Sequence, residues 1–532
     1  MELVSGIIGH NNIGGINDMK ILLIAPPWKR FFGSDNPVPP LSLNSIASYM
    51  ESAAPEHKID VFNCDYGLGK SQNIYNIDYM IGYDKYIRCL KNQDDPIWLE
   101  IHNKIKGYSP DVVGITAMTA SYVSALNVAR IVKKIDPSIL VVMGGRHVSS
   151  LPENTLQQDC VDAVVIGDGE LVFYNYIQAG AHPCDIKGMG YRDVNGNIII
   201  NDPQEPIQNL STLPIPVFES TITKYENLHQ ENWMIVGARG CPFSCIYCAD
   251  SNSKVRLRSV SHILDEIVFI EKRYGVKNFN FADDTFSLNK EHVTEFCHRL
   301  RELNLDISWS CNNRIDRINE GMLQVMRDAN CYSMFLGIET GSNQTMERIK
   351  KKVDLSQCIE RIRLAKKFDF IVSGYFIIGF PWEDEVSMRQ TVDFMSSIGL
   401  DDFQLNIATP LPGTELFKQL EDQGKINIED IEWERIYQGS PHMNYSDLYS
   451  DDEWCALLLK YTKIADRRSM VKNYSLILKK LIRNPRLILK IVSINSLKRY
   501  LFPILRRSAE GMMVEIFKNM KFVAATLHKG LF

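Results

Sequence analysis

The sequence lacks the features that mark several large classes of protein. No apolar run reaches the about 18 residues of a membrane-spanning helix, and the first thirty residues have neither the charged start nor the cleavage site of a secretory signal. The twelve cysteines are scattered over 532 residues, unlike those of a disulfide-stapled secreted domain. We therefore expect a cytoplasmic protein in which clustered cysteines serve metal binding or catalysis.

Disordered and fibrous chains are excluded by composition. The residues are 45% hydrophobic, 10% aromatic and 23% charged, as in ordinary globular proteins.

The net charge of −5 is unevenly spread, because the segment 467–507 holds twelve Lys or Arg and no Asp or Glu. Such a basic, leucine-rich segment suits peripheral contact with an anionic membrane surface. It equally suits packing against the underside of the βα barrel that the strand pattern described next predicts. The acidic remainder argues against nucleic acid as a partner.

Two series of strand and helix patterns run along the chain. Five β-branched runs alternate with helical patterns in the first series and predict a parallel sheet covered on both faces, with one or two helices inserted at 65–108. Six strand–helix repeats in the second series predict a partial (βα)6 barrel, and Asn195-Gly196 between the two series predicts a hairpin. The expected division of this α/β chain is a leader (1–18), a Rossmann-like domain (19–185), a connector (186–225), the partial barrel (226–425) and a helical, basic C-terminal region (426–532).

One cluster of cysteines lies directly after the first barrel strand. Cys241, Cys245 and Cys248 have C-x3-C-x2-C spacing, at the carboxyl face where such barrels carry their chemistry. Three thiolates on one tight loop can ligate three irons of a [4Fe–4S] cluster and leave the fourth iron open, whereas a structural zinc site normally takes four protein ligands. Zinc is the alternative, with distant Cys297 or Cys311 as a fourth ligand.

This cysteine loop resembles that of the radical S-adenosylmethionine (SAM) superfamily. The resemblance continues in FNFADDTF, GIETG and GYFIIGFPWED on later strands, and it implies a [4Fe–4S] cluster on the three cysteines with SAM at the open iron. Each of the two aspartates in FNFADDTF, Asp283 and Asp284, is alternatively interpreted as a helix cap. Arg314 fits a site residue and a core-edge arginine about equally. The residues that the resemblance assigns to SAM are Tyr247, Asp283, Asp284, Glu339 and Gly379.

Small and hydroxylic residues follow three consecutive strands of the first series. Open α/β sheets bind ligands at the carboxyl ends of their strands, and small residues there leave room for a bulky planar group. The pattern resembles a cobalamin-binding domain, although the loop APPWKRFFG has no histidine to ligate cobalt. His147 is interpreted as a loop-capping residue, and a cofactor-free scaffold is the alternative. The residues that the resemblance assigns to cobalamin are Thr116, Thr119, Gly144, Gly145 and Gly167.

The two halves together resemble the cobalamin-dependent radical SAM enzymes, a group that contains methyltransferases and the anaerobic magnesium-protoporphyrin ester cyclase. The resemblance implies cleavage of SAM by an electron from an external donor of the flavodoxin or ferredoxin type, followed by methylation of an unactivated carbon. No catalytic side chain is assigned. The alternatives are a cyclase or rearrangement enzyme without methyl transfer and an inactive cobalamin or redox sensor. The expected substrate is a small molecule, or a lipid-like one if 467–507 contacts a membrane.

Overall fold

Two largely parallel β-sheets follow one another along the chain, as the two strand series predict. The computed structural model describes residues 18–36, 38–67, 76–222, 224–225 and 232–483, without the side chains of 76 and 470–483. The predicted leader therefore lies outside the described residues except for Asp18, and so do residues 484–507 of the basic segment. Residues Met1–Ser469 belong to one compact unit and Met470–Phe532 to a second.

The first sheet has seven strands. They are β1 (Lys20–Ala25), β2 (Lys58–Asn63), β3 (Val112–Thr116), β4 (Leu140–Gly144), β5 (Ala163–Val165), β6 (Met189–Arg192) and β7 (Ile198–Ile200). Their order is β2-β1-β3-β4-β5-β6-β7, with β1 to β5 parallel and β6 and β7 antiparallel. The hairpin at Asn195-Gly196 joins the last two strands and extends this sheet. Ile21 to Ile24, the four central residues of β1, are all buried, because helices cover both faces of the sheet.

Nine helices accompany this sheet and the connector in the described part of the chain. They are α1 (Leu41–Ala53), α2 (Asn76–Ile81), α3 (Tyr83–Lys91), α4 (Pro96–Tyr108), α5 (Tyr122–Ile135), α6 (Arg146–Ser150), α7 (Pro152–Leu156), α8 (Gly169–Gln178) and α9 (Glu219–Ile222). The insertion at 65–108 contains three helices, α2 to α4, where the sequence predicted one or two. Its aromatic residues build a packed cluster with the loop after β1, in which Trp28 contacts Phe32, Tyr79 and Tyr86.

The second sheet is the predicted partial barrel. Its region contains β8 (Asn232–Ile235), β9 (Ala238–Arg239), β10 (Arg256–Leu257), β11 (Asn278–Phe281), β12 (Ser308–Arg314), β13 (Cys331–Glu339), β14 (Ile371–Ile378) and β15 (Asp402–Ile407). Six of these strands pair in parallel in the order β15-β14-β13-β12-β11-β8, whereas β9 and β10 form a separate antiparallel ribbon. The outer helices are α10 (Val260–Tyr274), α11 (Lys290–Glu302), α12 (Glu320–Asp328), α13 (Asn343–Arg348), α14 (Leu355–Lys367), α15 (Glu385–Ser397) and α16 (Glu415–Asp422).

A long helix, α17 (Asp451–Arg483), follows the barrel, so the predicted helical C-terminal region is helical over these described residues, whereas 426–450 is mostly irregular. Its first turns belong to the core, because Trp454 and Leu458 are fully buried and lie beside Gly379 after β14. The Trp454 indole donates a hydrogen bond of 2.8 Å to the carbonyl of Met443. Across the described residues, every helix is too short or too polar to cross a bilayer.

Replacing Trp454 with Ala tests whether α17 packs into the barrel core. The change should lower the free energy of unfolding by about 3–5 kcal/mol, because it removes a large buried ring and leaves a cavity. Phe269→Ala on α10 is the control, because that ring is 43% exposed, and its cost should be about 1 kcal/mol or less. Equal losses in urea denaturation would contradict this packing.

Candidate functional site

The cysteine loop is the segment between β9 and β10, and the ribbon closes it at its base. Arg239 pairs with Arg256 and Ala238 with Leu257 across the ribbon. Gly240, at the start of the loop, has a φ of +95°, and a Cβ there would lie 2.4 Å from the carbonyl oxygen of Lys254. Only glycine permits this close approach. The Ser253 hydroxyl accepts a hydrogen bond of 2.8 Å from the amide of Cys241 and holds the two ends of the loop together.

All three predicted ligand cysteines lie on this loop as free thiols. Cys241 and Cys245 are buried and Cys248 is half-buried. In the described residues, no three His, Cys, Asp or Glu side chains are close enough to hold a single metal ion. Each thiolate of a [4Fe–4S] site binds a different iron. The donor set therefore fits a cluster whose three ligands come from one loop.

Arg314, at the end of β12, is directed at the cysteine loop. Its guanidinium lies 3.6 Å from the sulfur of Cys245, donates 2.8 Å to the carbonyl of Lys351 and forms an ion pair of 3.0 Å with Asp316. It also stacks 3.8 Å from the ring of Phe243. A buried guanidinium beside a thiolate stabilises the negative charge. The structure therefore places Arg314 at the site, a question that the sequence left open.

Glu339 occupies a strained position at the end of β13. Its φ is +75°, and the pairing with β14 shifts register between Gly337 and Glu339, which turns the strand end. The carboxylate forms a buried ion pair of 2.8 Å with Lys351. A Cβ on Gly337 would lie 2.6 Å from the Glu339 carboxylate and 2.8 Å from the Lys351 ammonium, so a larger residue there would displace this ion pair. Tyr247 hydrogen-bonds to the same carboxylate, and burial followed by the charge of Glu339 raises the pKa of this tyrosine.

The two aspartates after β11 occupy different environments. Asp283 is buried, and its carboxylate accepts a hydrogen bond of 2.6 Å from the amide of Gly237. Burial raises its pKa to about 7. The side chain of Asp284 is exposed to solvent. Partial desolvation of its carboxylate by neighbouring atoms, followed by the negative charge of Asp250, raises the pKa of Asp284 to about 6. Asp283 therefore holds the chain that enters the cysteine loop, and Asp284 lies at the open carboxyl end of the barrel.

Gly379 begins the loop after β14. Its φ is +85°, and a Cβ there would lie 3.1 Å from Leu458 of α17. Its amide donates 2.8 Å to the carboxylate of Glu383, which also accepts from the amide of Phe380 and the hydroxyl of Thr345. Glu383 is fully buried, and burial raises its pKa to about 7. This residue organises the loop, and sequence reasoning missed it because no local pattern shows where a glutamate side chain turns.

The predicted cobalamin residues meet at the carboxyl end of the first sheet. Gly145 has a φ of +104°, and a Cβ there would lie 3.1 Å from the Thr116 hydroxyl and 2.6 Å from the carbonyl of Ala117. Gly144 ends the neighbouring strand β4. A Cβ on Gly167 would meet no atom within 4 Å, which leaves open space beside the strand ends. This uncovered edge with small residues fits a large planar group.

His147 is packed between aromatic rings. Its ring is buried between Tyr122, at 3.8 Å, and Trp433, at 4.6 Å. Its Nδ1 lies 3.3 Å from the hydroxyl of Thr119. Burial lowers its pKa to about 3, so the ring is neutral. Among the described residues, His147 therefore packs the domain, and the cobalamin fit depends on small residues instead of a histidine.

Ion pairs connect the first domain to the cysteine loop. Arg239 bridges Glu170 at 2.6 Å and Asp168 at 3.2 Å, and Arg256 pairs with Asp168. Burial alone would raise the pKa of Asp168, but the hydrogen bonds and charges of these two arginines lower it below its ordinary value. Arg146, directly after Gly145, pairs with Asp250 on the loop. The carboxylates of the GDGE segment are thus engaged by arginines of the ribbon, and sequence reasoning missed these partners.

Both halves of the chain match known protein families. The Radical SAM superfamily matches residues 235–395, and the B12 binding domain matches residues 34–177. An uncharacterized methyltransferase of Pyrococcus horikoshii is 34% identical over 412 residues, which cover 75% of this chain and 83% of that protein. Cytidylyl-2-hydroxyethylphosphonate methyltransferase of Streptomyces wedmorensis is 26% identical over a match that covers 84% of this chain and 89% of that protein.

A solved structure shares the fold. The radical SAM methyltransferase TsrM of Kitasatospora setae superimposes with a TM-score of 0.60 at 16% identity, over 76% of each chain. The predicted α/β architecture, a Rossmann-like sheet followed by a partial radical SAM barrel, is confirmed by this likeness and by the two sheets. The cofactors of the protein are accordingly a [4Fe–4S] cluster, SAM and cobalamin.

Replacing Glu383 with Gln tests whether this buried carboxyl holds the loop after β14. Because its folded-state pKa of about 7 lies above its ordinary value of 4.5, the folded protein holds the proton more tightly than the unfolded chain. The protonated carboxyl stabilises the fold at low pH, and this stability is lost as the pH rises from 4.5 through 7. Glu383→Gln should therefore gain up to about 3 kcal/mol relative to the parent protein between pH 4.5 and 7.5. Parallel stability profiles from urea denaturation at each pH would contradict the raised pKa.

Proposed function

Because the chain belongs to the cobalamin-binding radical SAM enzymes, we propose that it methylates an unactivated carbon of a small molecule held between its two domains. Relatives that carry methyltransferase names cover 75% and 84% of this chain. The observation that carries the proposal is the set of ion pairs that fastens the ribbon under the cysteine loop to the strand ends of the first domain. They bring the two candidate cofactor sites to one interdomain interface.

We assign the cluster to Cys241, Cys245 and Cys248, with Arg314 balancing the negative charge near Cys245. The carboxylates of Asp284 and Glu339 supply acceptors for the amino and hydroxyl groups of SAM, and Lys351 orients Glu339 through their buried ion pair. When bound, the cluster and cobalamin supply the electron that cleaves SAM and the methyl group that is transferred. Asp283 and Glu383 act indirectly, because their carboxylates hold backbone amides of the surrounding loops.

On the first domain, we assign cobalamin to the edge formed by the loops after β3, β4 and β5. Thr116 and Gly144 end two of these strands, and the open space beside Gly167 accommodates a bulky ligand. The buried hydroxyl of Thr119 lies against His147. Thr119 therefore supports the edge through His147, whereas the other assigned residues contact the cofactor directly.

A cyclase is the second candidate activity. The anaerobic magnesium-protoporphyrin IX monomethyl ester cyclase of Rubrivivax gelatinosus is 27% identical and covers 63% of this chain and 62% of that protein. The Pyrococcus horikoshii methyltransferase relative is more similar to this chain, at 34% identity. Methyl transfer is therefore the better supported of the two reactions.

Anaerobic reconstitution with iron, sulfide and cobalamin tests the proposal. With SAM and dithionite, the protein should form 5′-deoxyadenosine and retain about four irons and one corrinoid per chain. Cys245→Ala should lose iron and cleavage, whereas the control Cys184→Ala, an exposed thiol far from the loop in sequence, should retain both. Deoxyadenosine without bound corrinoid would replace the proposal with a cobalamin-free radical reaction. No deoxyadenosine would reject radical chemistry altogether.

We also propose that the basic segment 467–507 contacts an anionic membrane surface and that the substrate is then lipid-like. Each Lys or Arg near such a surface contributes about 1 kcal/mol of attraction, and the segment holds twelve of them. The full chain should sediment with vesicles of anionic lipid, and less so with neutral lipid or in high salt. Sedimentation that is unchanged after deletion of 467–532 would contradict this contact.

A further inference from the structure

The strands of the partial barrel show two different faces. Side chains under the outer helices are fully buried, as Phe281, Cys311 and Phe376 are. Successive side chains of a strand point to opposite faces, so the residues between these face the concave side, where several are half-buried or exposed. We call this concave side the lumen. Arg314 and Glu339 end two of its strands, and they place its mouth beside the cysteine loop.

Two aromatic rings lie next to each other in the lumen. Phe335 on β13 and Tyr375 on β14 are parallel within 17°, and their centroids are 5.8 Å apart. Gly337 pairs with Tyr375 across these strands and adds no side chain beside the tyrosine. Both rings are half-buried. Part of their surface is therefore open to a planar group that stacks on them.

An amide side chain lies on each side of this aromatic pair. The strand register places Asn312 beside Phe335 and Gln404 beside Tyr375. Asn312 donates one long hydrogen bond of 3.5 Å to the carbonyl of Phe281, and Gln404 donates at 3.3 Å to the side chain two residues further along β15. Each amide has two N–H hydrogens and a carbonyl oxygen. Most of their hydrogen-bonding capacity is therefore available to a ligand.

The charged side chains around the lumen are engaged by partners within the described part of the protein. Three ion pairs lie near its mouth: Glu339–Lys351, Arg314–Asp316 and Arg146–Asp250. At the other end, Asp402 accepts a hydrogen bond of 2.5 Å from the hydroxyl of Ser469. Asp284, at the mouth, is assigned above to SAM. An ionic substrate group would enter without a partner of its own, which is costly in a site of low polarity.

We infer that the lumen recognises an uncharged, planar substrate group that both donates and accepts hydrogen bonds, the chemistry of an aromatic amide, a lactam or a nucleobase. The inference rests on the proposed function and names the class of substrate for the same site. The planar group stacks on Phe335 and Tyr375, and the amides of Asn312 and Gln404 bond to its edge. A lipid-like substrate satisfies this requirement when its head group belongs to the class.

A site built from amides discriminates against analogues without hydrogen-bonding groups, because its own donors and acceptors then lose their partners. Benzamide, benzoate, benzylamine and toluene are probes of similar shape that differ in charge and hydrogen bonding. Binding is measured by equilibrium dialysis against the full chain, reconstituted with iron, sulfide and cobalamin and saturated with SAM, without reductant. Benzamide should bind at least about 10-fold more tightly than each of the other three. Equal dissociation constants for the four probes would overturn the inference.

Asn312→Asp tests the position with a change of preference that misfolding cannot imitate. The new carboxylate should weaken the binding of benzamide and benzoate and make benzylamine the most tightly bound probe, because opposite charges attract strongly away from bulk water. The matched control is Asn103→Asp, which places the same charge at an exposed position on α4. A ranking that Asn312→Asp leaves unchanged, or that Asn103→Asp changes equally, would overturn the lumen as the recognition site.

Tyr375→Leu is a second variant that adds no charge. It should weaken benzamide and toluene by a similar factor of about 5, because both probes lose the ring on which they stack. Unchanged binding of both would contradict the stacking surface.

The proposed function is tested separately, by formation of deoxyadenosine with SAM and dithionite. Deoxyadenosine formation together with equal binding of the four probes would overturn the substrate class alone. The absence of deoxyadenosine would overturn the proposed function, whereas a preference for benzamide in the same protein would still support the lumen as the recognition site.

Discussion

The ion pairs of Asp168 and Glu170 with Arg239 and Arg256 are the constraint on which the site depends. Glu170 is 3% exposed, and it accepts from the Ser45 hydroxyl at 2.6 Å as well as from Arg239. Charges buried this far are tolerated only when they are paired and hydrogen-bonded. Because Arg239 and Arg256 face each other across the ribbon that closes the cysteine loop, a shift of the first domain would leave buried charges unpaired. The position of the cysteine loop is thereby tied to the strand ends of the first sheet.

Two backbone positions with positive φ lie at the same end of the barrel. Glu339 and Gly240 both have positive φ values, and Gly337 leaves the space that the Glu339–Lys351 pair fills. A non-glycine residue in this conformation costs about 1–3 kcal/mol, which the buried ion pair helps to offset. The chain leaves the ordinary strand conformation at Glu339, the residue whose carboxylate contacts Tyr247 of the cysteine loop. Such exceptions are expected at functional sites.

The architecture could be predicted from sequence, because β-branched runs and helix periodicity are local signals and parallel sheets bury both faces. The cysteine spacing likewise predicts the loop, since its three thiols are neighbours in the chain. Partners distant in sequence could not be predicted: Arg239 meets Glu170 across 69 residues, and no periodicity encodes that pairing. The direction of a side chain is equally hidden, so Asp283 and Asp284 look alike in sequence although one binds an amide and the other faces the barrel mouth. The candidate cofactor residues stay predictions, and what the structure adds is the network that positions them.

The segment 426–450 packs against the first domain beside its candidate ligand edge. Trp433 from this segment covers His147, and Tyr437 packs on Trp28 in the loop after β1. That loop is further held by Asp65, which accepts from the amide of Trp28 at 2.6 Å. The β1 loop and His147 are therefore both held by aromatic packing. A cobalamin at this edge would be held by shape and by backbone and hydroxyl groups, with neither the β1 loop nor His147 supplying an imidazole to the cobalt.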